Sequence, residues 1–310
     1  MAASSDQARL VPTILEDRLL GGPQRYNHNE VAELAGIDRD TARGLWIALG
    51  FPATDDDQAL DYTEADIKAL ADLQELGIFA AADPRRQAAA ARAIGQAMAR
   101  LAEWQADVIV DEITRRSARD SDADPAAAVR AATDNTLELL ERLQTYTWRR
   151  HLAAALSRPM DDPEAAGSVR TLAIGFADMV GYTRLTRHLH PDELSTLLEA
   201  FESTSTAAVT ENGGWVIKNL GDEVMFAAET ALAAARIGLA IQHSTMTVGA
   251  TPQLRVAIAY GPVLQRLGDL YGTVVNTAAR LTGVARPGTV LVDDRAAEEL
   301  ANEPEFTLRS

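Results

Sequence analysis

Two hydrophobic rhythms divide the chain. Between about residues 30 and 157, apolar positions recur every three to four residues, the spacing that lays one stripe along a helix. Residues 30–35 and 38–49 read as two short helices joined by a turn at Gly36, with Asp38 placed to cap the second. Thr63 followed by Asp66 forms a capping box for a helix through Leu76. Residues 86–118 predict a long Ala-rich helix with Ile94, Met98, Leu101 and Val108 on one face. Asp124-Pro125 opens another that runs to about Ser157, with Leu140, Leu143 and Thr147 on its stripe. Helices of this length pack together or pair with a second chain.

The rhythm changes after RPMDDPEAAG (158–167), where two prolines and three acids interrupt helical periodicity. Beyond it the chain predicts a strand at 170–178, a helix at 190–211, and a hairpin of 215–220 and 223–227. A helix at 229–243, strands at 254–260 and 263–267, a helix at 272–285, a strand at 289–292 and a short helix at 295–302 follow. Strand–helix–strand–strand–helix–strand is the split, ferredoxin-like order of an α+β fold, a sheet with antiparallel pairs and helices on one face. The expected organisation is therefore an all-α domain over 1–158, a linker at 159–167 and an α+β domain over 168–310.

Composition narrows the setting. A chain of 310 residues suits two domains of ordinary size. Without cysteine there are no disulfides and no thiolate chemistry. The opening MAASSDQARL lacks the apolar core of a signal peptide, and no apolar run is long enough to span a bilayer. A net charge of −16 argues against a nucleic-acid or anionic-membrane partner. Together these features predict a cytoplasmic protein with no membrane association.

The candidate chemistry lies in three segments, GFADMVGYT (175–183), VIKNLGDEVMF (216–226) and GDLYGTVVNTAARL (268–281). Asp178 ends an apolar strand, where a carboxylate projects from the sheet into a cleft, and Asp222 sits at a hairpin tip. Those two acids suit divalent metals. Asn276 and Arg280 are four apart on one helix and share a face, from which they can steady ribose and phosphate. Lys218 and Asp269 can read a base edge, because adenine offers an N1 acceptor and an N6 donor. Of 29 basic side chains only Lys68 and Lys218 are lysines, so a Lys at 218 hints at a need for a compact ammonium. Each residue alone has a bland reading as a turn acid or surface charge; the joint spacing carries the weight.

That spacing resembles the catalytic domain of class III adenylyl and guanylyl cyclases over about residues 168–308, carried by FADMVGYT, IKNLGDEVMF and GDLYGTVVNTAARL. The resemblance implies that Asp178 and Asp222, with the main-chain carbonyl of Met179, bind two Mg²⁺ or Mn²⁺ ions per active site. It makes Lys218 and Asp269 the adenine readers, Asn276 the residue that orients ribose, and Arg280 the stabiliser of the transferring phosphoryl group. Guanylyl cyclases place Glu and usually Cys or another small residue at the two base-reading positions, so ATP is the expected substrate. It further implies a homodimer with shared active sites, and another strand pair beyond residues 306–310. LGDEV (220–224) also resembles the GGDEF hairpin of diguanylate cyclases, but Leu220 replaces the first Gly and NTAAR has no place there.

The N-terminal half resembles the helical regulatory region of soluble, pH-responsive, autoinhibited bacterial cyclases, and residues 26–51 resemble a MerR-type helix-turn-helix. Residues 25–79 hold four basic and twelve acidic side chains, a poor surface for DNA. His28, His151, His188, His190 and His243 can titrate near neutral pH, and His151, near the end of the long helix before the linker, is the candidate trigger. The sequence thus reads as an adenylyl cyclase gated by its N-terminal domain. Its rivals are a catalytically inactive ATP sensor and a MerR-like DNA-binding regulator with a nucleotide-sensing domain.

Overall fold

The computed structural model describes residue 16 and residues 18–54, 56–76, 84–119, 125–158, 169–247 and 252–309. It divides into two compact units, Met1–Arg158 and Pro159–Ser310. Among the described residues, no helix is long and apolar enough to cross a membrane.

The first unit is helical. α1 (His28–Ala35) begins two residues before the apolar rhythm predicts, because Asn27 and Glu30 form a capping box. The Asn27 side chain accepts from the N–H groups of Asn29 and Glu30 at 2.9 and 3.0 Å, and Glu30 accepts from the Asn27 N–H at 2.9 Å. Gly36 closes α1 in the left-handed region, and Asp38 caps α2 (Arg39–Ala48) by accepting from the Thr41 N–H at 3.0 Å. α3 (Glu64–Glu75) opens with Asp66 accepting from the Thr63 N–H at 2.7 Å. Val31, Leu45, Tyr62, Leu70 and Ala91 form the core of this bundle, with Trp46 stacked between Phe51 and Tyr62.

Two long helices follow, α4 (Pro84–Arg119) and α5 (Pro125–Leu156). They meet through Ile109 and Ile113 against Leu137 and Leu140. The stripe expected on α4 lies partly outside that seam: Ile94 and Met98 are each 44% exposed, and Leu143 on α5 is 57% exposed. Periodicity located the apolar face but not the part of it that meets a neighbour.

The second unit is built on a six-stranded sheet. Its strands are β1 (Val169–Met179), β2 (Trp215–Asn219), β3 (Glu223–Ala228), β4 (Leu254–Arg266), β5 (Asp269–Tyr271) and β6 (Thr289–Val292). The path runs β2-β3-β1-β4-β5 through antiparallel pairs, and β6 joins β4 in parallel. The helices are α6 (Tyr182–Leu185), α7 (Pro191–Glu211), α8 (Ala231–Thr247), α9 (Thr273–Val284) and α10 (Asp294–Leu300). The strands expected at 254–260 and 263–267 are one strand, because pairing with β1 continues through Gly261 and Pro262. The single turn of α6 and the three residues of β5 are too short to leave a period in the sequence.

Alternate residues of the central strands face opposite ways. Ala173 and Ala177 of β1, with Val224 and Phe226 of β3, pack against α7, α8 and α10. Leu172, Ile174 and Phe176 face the other way, against Val274 and Ala278 of α9. Helices therefore cover both faces, not one as expected: α9 buries an apolar side of its own and crosses to the free face. Gly175 is obligatory in this packing, since a Cβ there would lie 2.0 Å from the Phe226 ring.

The sheet also curls. Leu270 of β5, at one end of the strand path, shares a cluster with Trp215 and Ile217 of β2 at the other. The arm that reaches across is the β4–β5 hairpin, whose two-residue turn, Leu267-Gly268, has positive φ at both positions, 52° and 84°. That is the mirror-image turn favoured between twisted strands, but it ordinarily takes Asn or Gly, and a left-handed Leu costs about 1–2 kcal/mol. Leu267 is exposed and gains little burial in return. Leu267→Asn is expected to stabilise this unit by ~0.5–1 kcal/mol, seen as a higher urea midpoint at unchanged slope. A midpoint at or below wild type would show that the Leu267 side chain contributes contacts that outweigh the strain.

Candidate active site

The structure gathers the candidate residues into two charged groups and leaves two residues apart. The first group lies where β1, β3 and β4 run side by side. Asp178 stands opposite Glu223 of β3 on one side and Arg255 of β4 on the other, so a carboxylate, a carboxylate and a guanidinium form one cross-strand row. Arg255 Nη2 donates to Asp178 Oδ2 in a short ion pair. Its Nη1 reaches the Gly283 carbonyl at 3.5 Å, and its Nε is buried without a partner. Asp222, at the β2–β3 turn, is tied in through the backbone: the Met179 N–H donates to the Asp222 carbonyl at 3.0 Å.

Electrostatics mark this row as an excess of negative charge. Removal from water raises the pKa of Asp222, and the Asp178 charge adds to the rise against the opposing pull of its own N–H and of Arg255. Burial likewise raises Glu223, with the charges of Asp178 and Asp222 adding and Arg255 opposing. Partly desolvated acids raised by one another are the donor set that a hard divalent cation relieves. Among the described residues no three acids or histidines converge to hold an ion by themselves. The residues present therefore fit a metal whose shell is completed by substrate oxygens and water.

The second group is an ion pair between residues 51 apart. Lys218 Nζ donates to Asp269 Oδ2 at 2.9 Å. Lys218 follows a register shift in β2 between Val216 and Lys218, an irregularity that re-aims a side chain. Asp269 opens β5 and also accepts from the Leu270 N–H at 2.9 Å. Burial pushes its carboxyl up, but hydrogen bonds from Lys218 and Leu270, the Lys218 charge and the Tyr271 hydroxyl outweigh burial and hold it below the usual range. An ammonium and a carboxylate thus sit side by side, both half-buried, as one donor and one acceptor.

Asn276 and Arg280 lie exposed on α9, one turn apart. Among the described residues, neither side chain has a hydrogen bond or ion pair with the two groups. Sequence reasoning missed Arg255 and Glu223. Glu223 stood in view beside Asp222 but read as an ordinary strand opening, and Arg255 becomes notable only once register places it against Asp178.

The fold presents an acid-rich row and a Lys–Asp pair on one sheet, and comparison with known proteins names its family. Residues 165–310 match the family described as the adenylate and guanylate cyclase catalytic domain. An adenylate cyclase of Streptomyces coelicolor is 42% identical over 296 residues, covering 92% of this chain and 74% of that one. An adenylate cyclase of Glutamicibacter nicotianae is 35% identical over 309 residues, covering 95% and 76%. A pH-sensitive adenylate cyclase of Mycobacterium tuberculosis is 29% identical over 306 residues, covering 95% and 75%. The chain belongs to the class III family of adenylate and guanylate cyclases, which are phosphorus–oxygen lyases, and within it to the adenylate cyclases.

The raised acids give a prediction whose sign follows from linkage. A carboxyl whose folded pKa lies above its unfolded value costs stability once it is ionised, so that cost appears as pH rises through the carboxylate range and is absent below it. In chelator, Glu223→Gln is expected to stabilise the protein at neutral pH by ~0.5 kcal/mol, the scale of one opposed like-charge pair. The gain should vanish as pH falls below the unfolded carboxylate range. Thermal melts of both proteins across that range check this, and a pH-independent difference would remove Glu223 from the repulsive row.

Proposed function

We propose that this chain converts ATP to 3′,5′-cyclic AMP and pyrophosphate at sites shared by two copies. The observation that carries the reading is the Lys218–Asp269 pair at 2.9 Å. A donor and an acceptor set side by side match the N1 acceptor and N6 donor of adenine, whereas guanine presents the reverse pattern at that edge. The strand order β2-β3-β1-β4, with α7 and α8 on one face, supports a ferredoxin-like reading of the catalytic core.

In this reading Asp178, Asp222 and the Met179 carbonyl would hold two Mg²⁺ or Mn²⁺ ions. When bound, the metals acidify the ribose 3′-hydroxyl and neutralise charge on the leaving group. The 3′-oxygen forms a bond to the α-phosphorus as the bond to the pyrophosphate oxygen breaks, and the hydroxyl proton departs. Asn276 orients the ribose, and Arg280 meets the charge that develops on the transferring phosphoryl group. Arg255, which neutralises Asp178 here, would have to release that carboxylate for Asp178 to serve as a metal ligand.

Lys218 at β2 and Asp222 at the following turn flank one tight hairpin yet serve opposite ends of the nucleotide in this reading, which supports a dimer in which one protomer supplies Asp178 and Asp222 and its partner supplies the base, ribose and phosphoryl contacts. Asp178→Ala and Arg280→Ala proteins are each expected to lose at least ~10²-fold in kcat. Mixed together they should regain activity, because a heterodimer keeps one intact site. No rescue, with heterodimers demonstrated, would place the whole site within one chain.

The first unit is proposed to gate the second. α5 ends at Leu156 and β1 begins at Val169, so the helical unit directly precedes the first catalytic strand in the chain. Misplacement by about 1 Å at a shared site can cost ~10²-fold in rate. The relative described as pH-sensitive spans both units of this chain, which supports protonation as the signal. Activity of the full chain and of a version starting near Glu164 should differ in level or pH profile between about pH 5 and 8. Identical profiles would leave residues 1–158 without a gating role. A difference that survives replacement of His151, which is exposed on α5, would discard that trigger and keep the gate.

A further inference from the structure

We propose that Arg170 is a positioning residue for base recognition, acting through Gln265 to fix the β4–β5 arm that carries Asp269. The inference rests on the reading of Lys218 and Asp269 as the base-reading pair. Arg170 is 5% exposed and is the one buried charged residue among those described. Burying a guanidinium is costly unless its donors are met, and an apolar side chain at such a position commonly gives equal or greater stability. Here the donors are met unevenly. Nη2 donates to Glu229 at 2.7 Å, Nη1 reaches Gln265 Oε1 at 3.5 Å, and Nε has no partner. Stability is therefore a weak reason for a charge at this place, and its connections supply a better one.

Those connections cross the sheet. Arg170 is the second residue of β1, Glu229 directly follows β3, and Gln265 lies on β4. Arg170 pairs in register with Val263, and Gln265 is two residues further along, where β4 has passed the end of β1 and pairs with β5. The next registers are Gln265 opposite Leu270 and Arg266 opposite Asp269. The brace therefore ends one residue pair short of Asp269. It joins the arm to β1 and β3, the strands between the arm and β2, which carries Lys218. Beyond Gln265 the arm turns at the strained Leu267-Gly268 and its far end packs through Leu270 against Trp215 and Ile217, so the Arg170–Gln265 contact sets the arm at its root.

The test uses the full-length protein and compares cyclic product formed from ATP and from GTP with Mn²⁺, alongside thermal melts. The variants are Gln265→Leu, Arg170→Met and Arg170→Lys, with Lys218→Ala as the reference for lost base reading. Gln265 is only half-buried, so Gln265→Leu keeps the test available if Arg170→Met does not fold. Gln265→Leu and Arg170→Met are each expected to raise KM for ATP by ~10-fold and to lower the ATP-over-GTP preference by a similar factor, with kcat changed by less than ~3-fold, the pattern of lost binding geometry. Arg170→Lys should restore part of the preference. A wild-type enzyme that does not discriminate, or a Lys218→Ala variant that discriminates like wild type, overturns the base-pair reading and this inference with it. Discrimination lost in Lys218→Ala but kept in the folded Gln265 and Arg170 variants overturns this inference alone, including when their melting temperatures fall.

Discussion

The second unit depends on the curl of one largely antiparallel sheet. Lys218 lies on β2 and Asp269 on β5, the two ends of the path β2-β3-β1-β4-β5. In a flat sheet those strands would stand roughly 19 Å apart, four spacings of about 4.8 Å, beyond the joint reach of the two side chains. Their contact at 2.9 Å therefore reports a strongly bent surface. The bend has identifiable supports. Leu270 packs into the cluster that holds Trp215 and Ile217, α9 fills the same face through Val274 and Ala278, and the irregularity in β2 adds local twist. Gly175 leaves room on the opposite face for the end of the Phe226 ring. The Lys218–Asp269 pair is thus a product of the sheet's shape more than of any single element.

At the other end of β1 the governing effects are burial and, after it, repulsion. Asp178, Asp222 and Glu223 are brought together by register and by the Met179–Asp222 backbone bond; removal from water makes Asp222 and Glu223 harder to ionise, and the charge of Asp178 on both, with that of Asp222 on Glu223, adds to it. Arg255 offsets part of that charge. A row of partly desolvated acids of this kind is the donor chemistry that a hard divalent cation takes. The same principle separates the two groups: the Lys218–Asp269 pair is internally neutral, while the acid row is not. A neutral hydrogen-bonding edge suits a base, and an uncompensated anionic row suits cations bound to phosphate.

Much of this was legible in the chain itself. Period 3.6 before residue 158 and alternation after 169 fixed the order of the long elements, because burial of one helical stripe or one strand face leaves a local trace. Caps at Asp38 and Thr63 were readable for the same reason, since a cap is satisfied within four residues. The Asn27–Glu30 box was equally local and was simply overlooked, whereas α6 and β5 were too short to show a period. The candidate residues of the second unit stood out through motif spacing, which the sequence displays without any knowledge of contacts.

What the sequence could not display were relations between distant segments. Nothing near Arg255 announces that it faces Asp178, nothing near Arg170 announces burial beside Glu229 and Gln265, and nothing in α9 says which face of the sheet it covers. Register, curl and burial are set by the simultaneous packing of strands up to about a hundred residues apart, so a linear pattern carries no record of them. The sequence by itself determined which residue types were available and on which elements. Only the tertiary structure decided which of them meet, because charge–charge contact and desolvation are properties of distance in space.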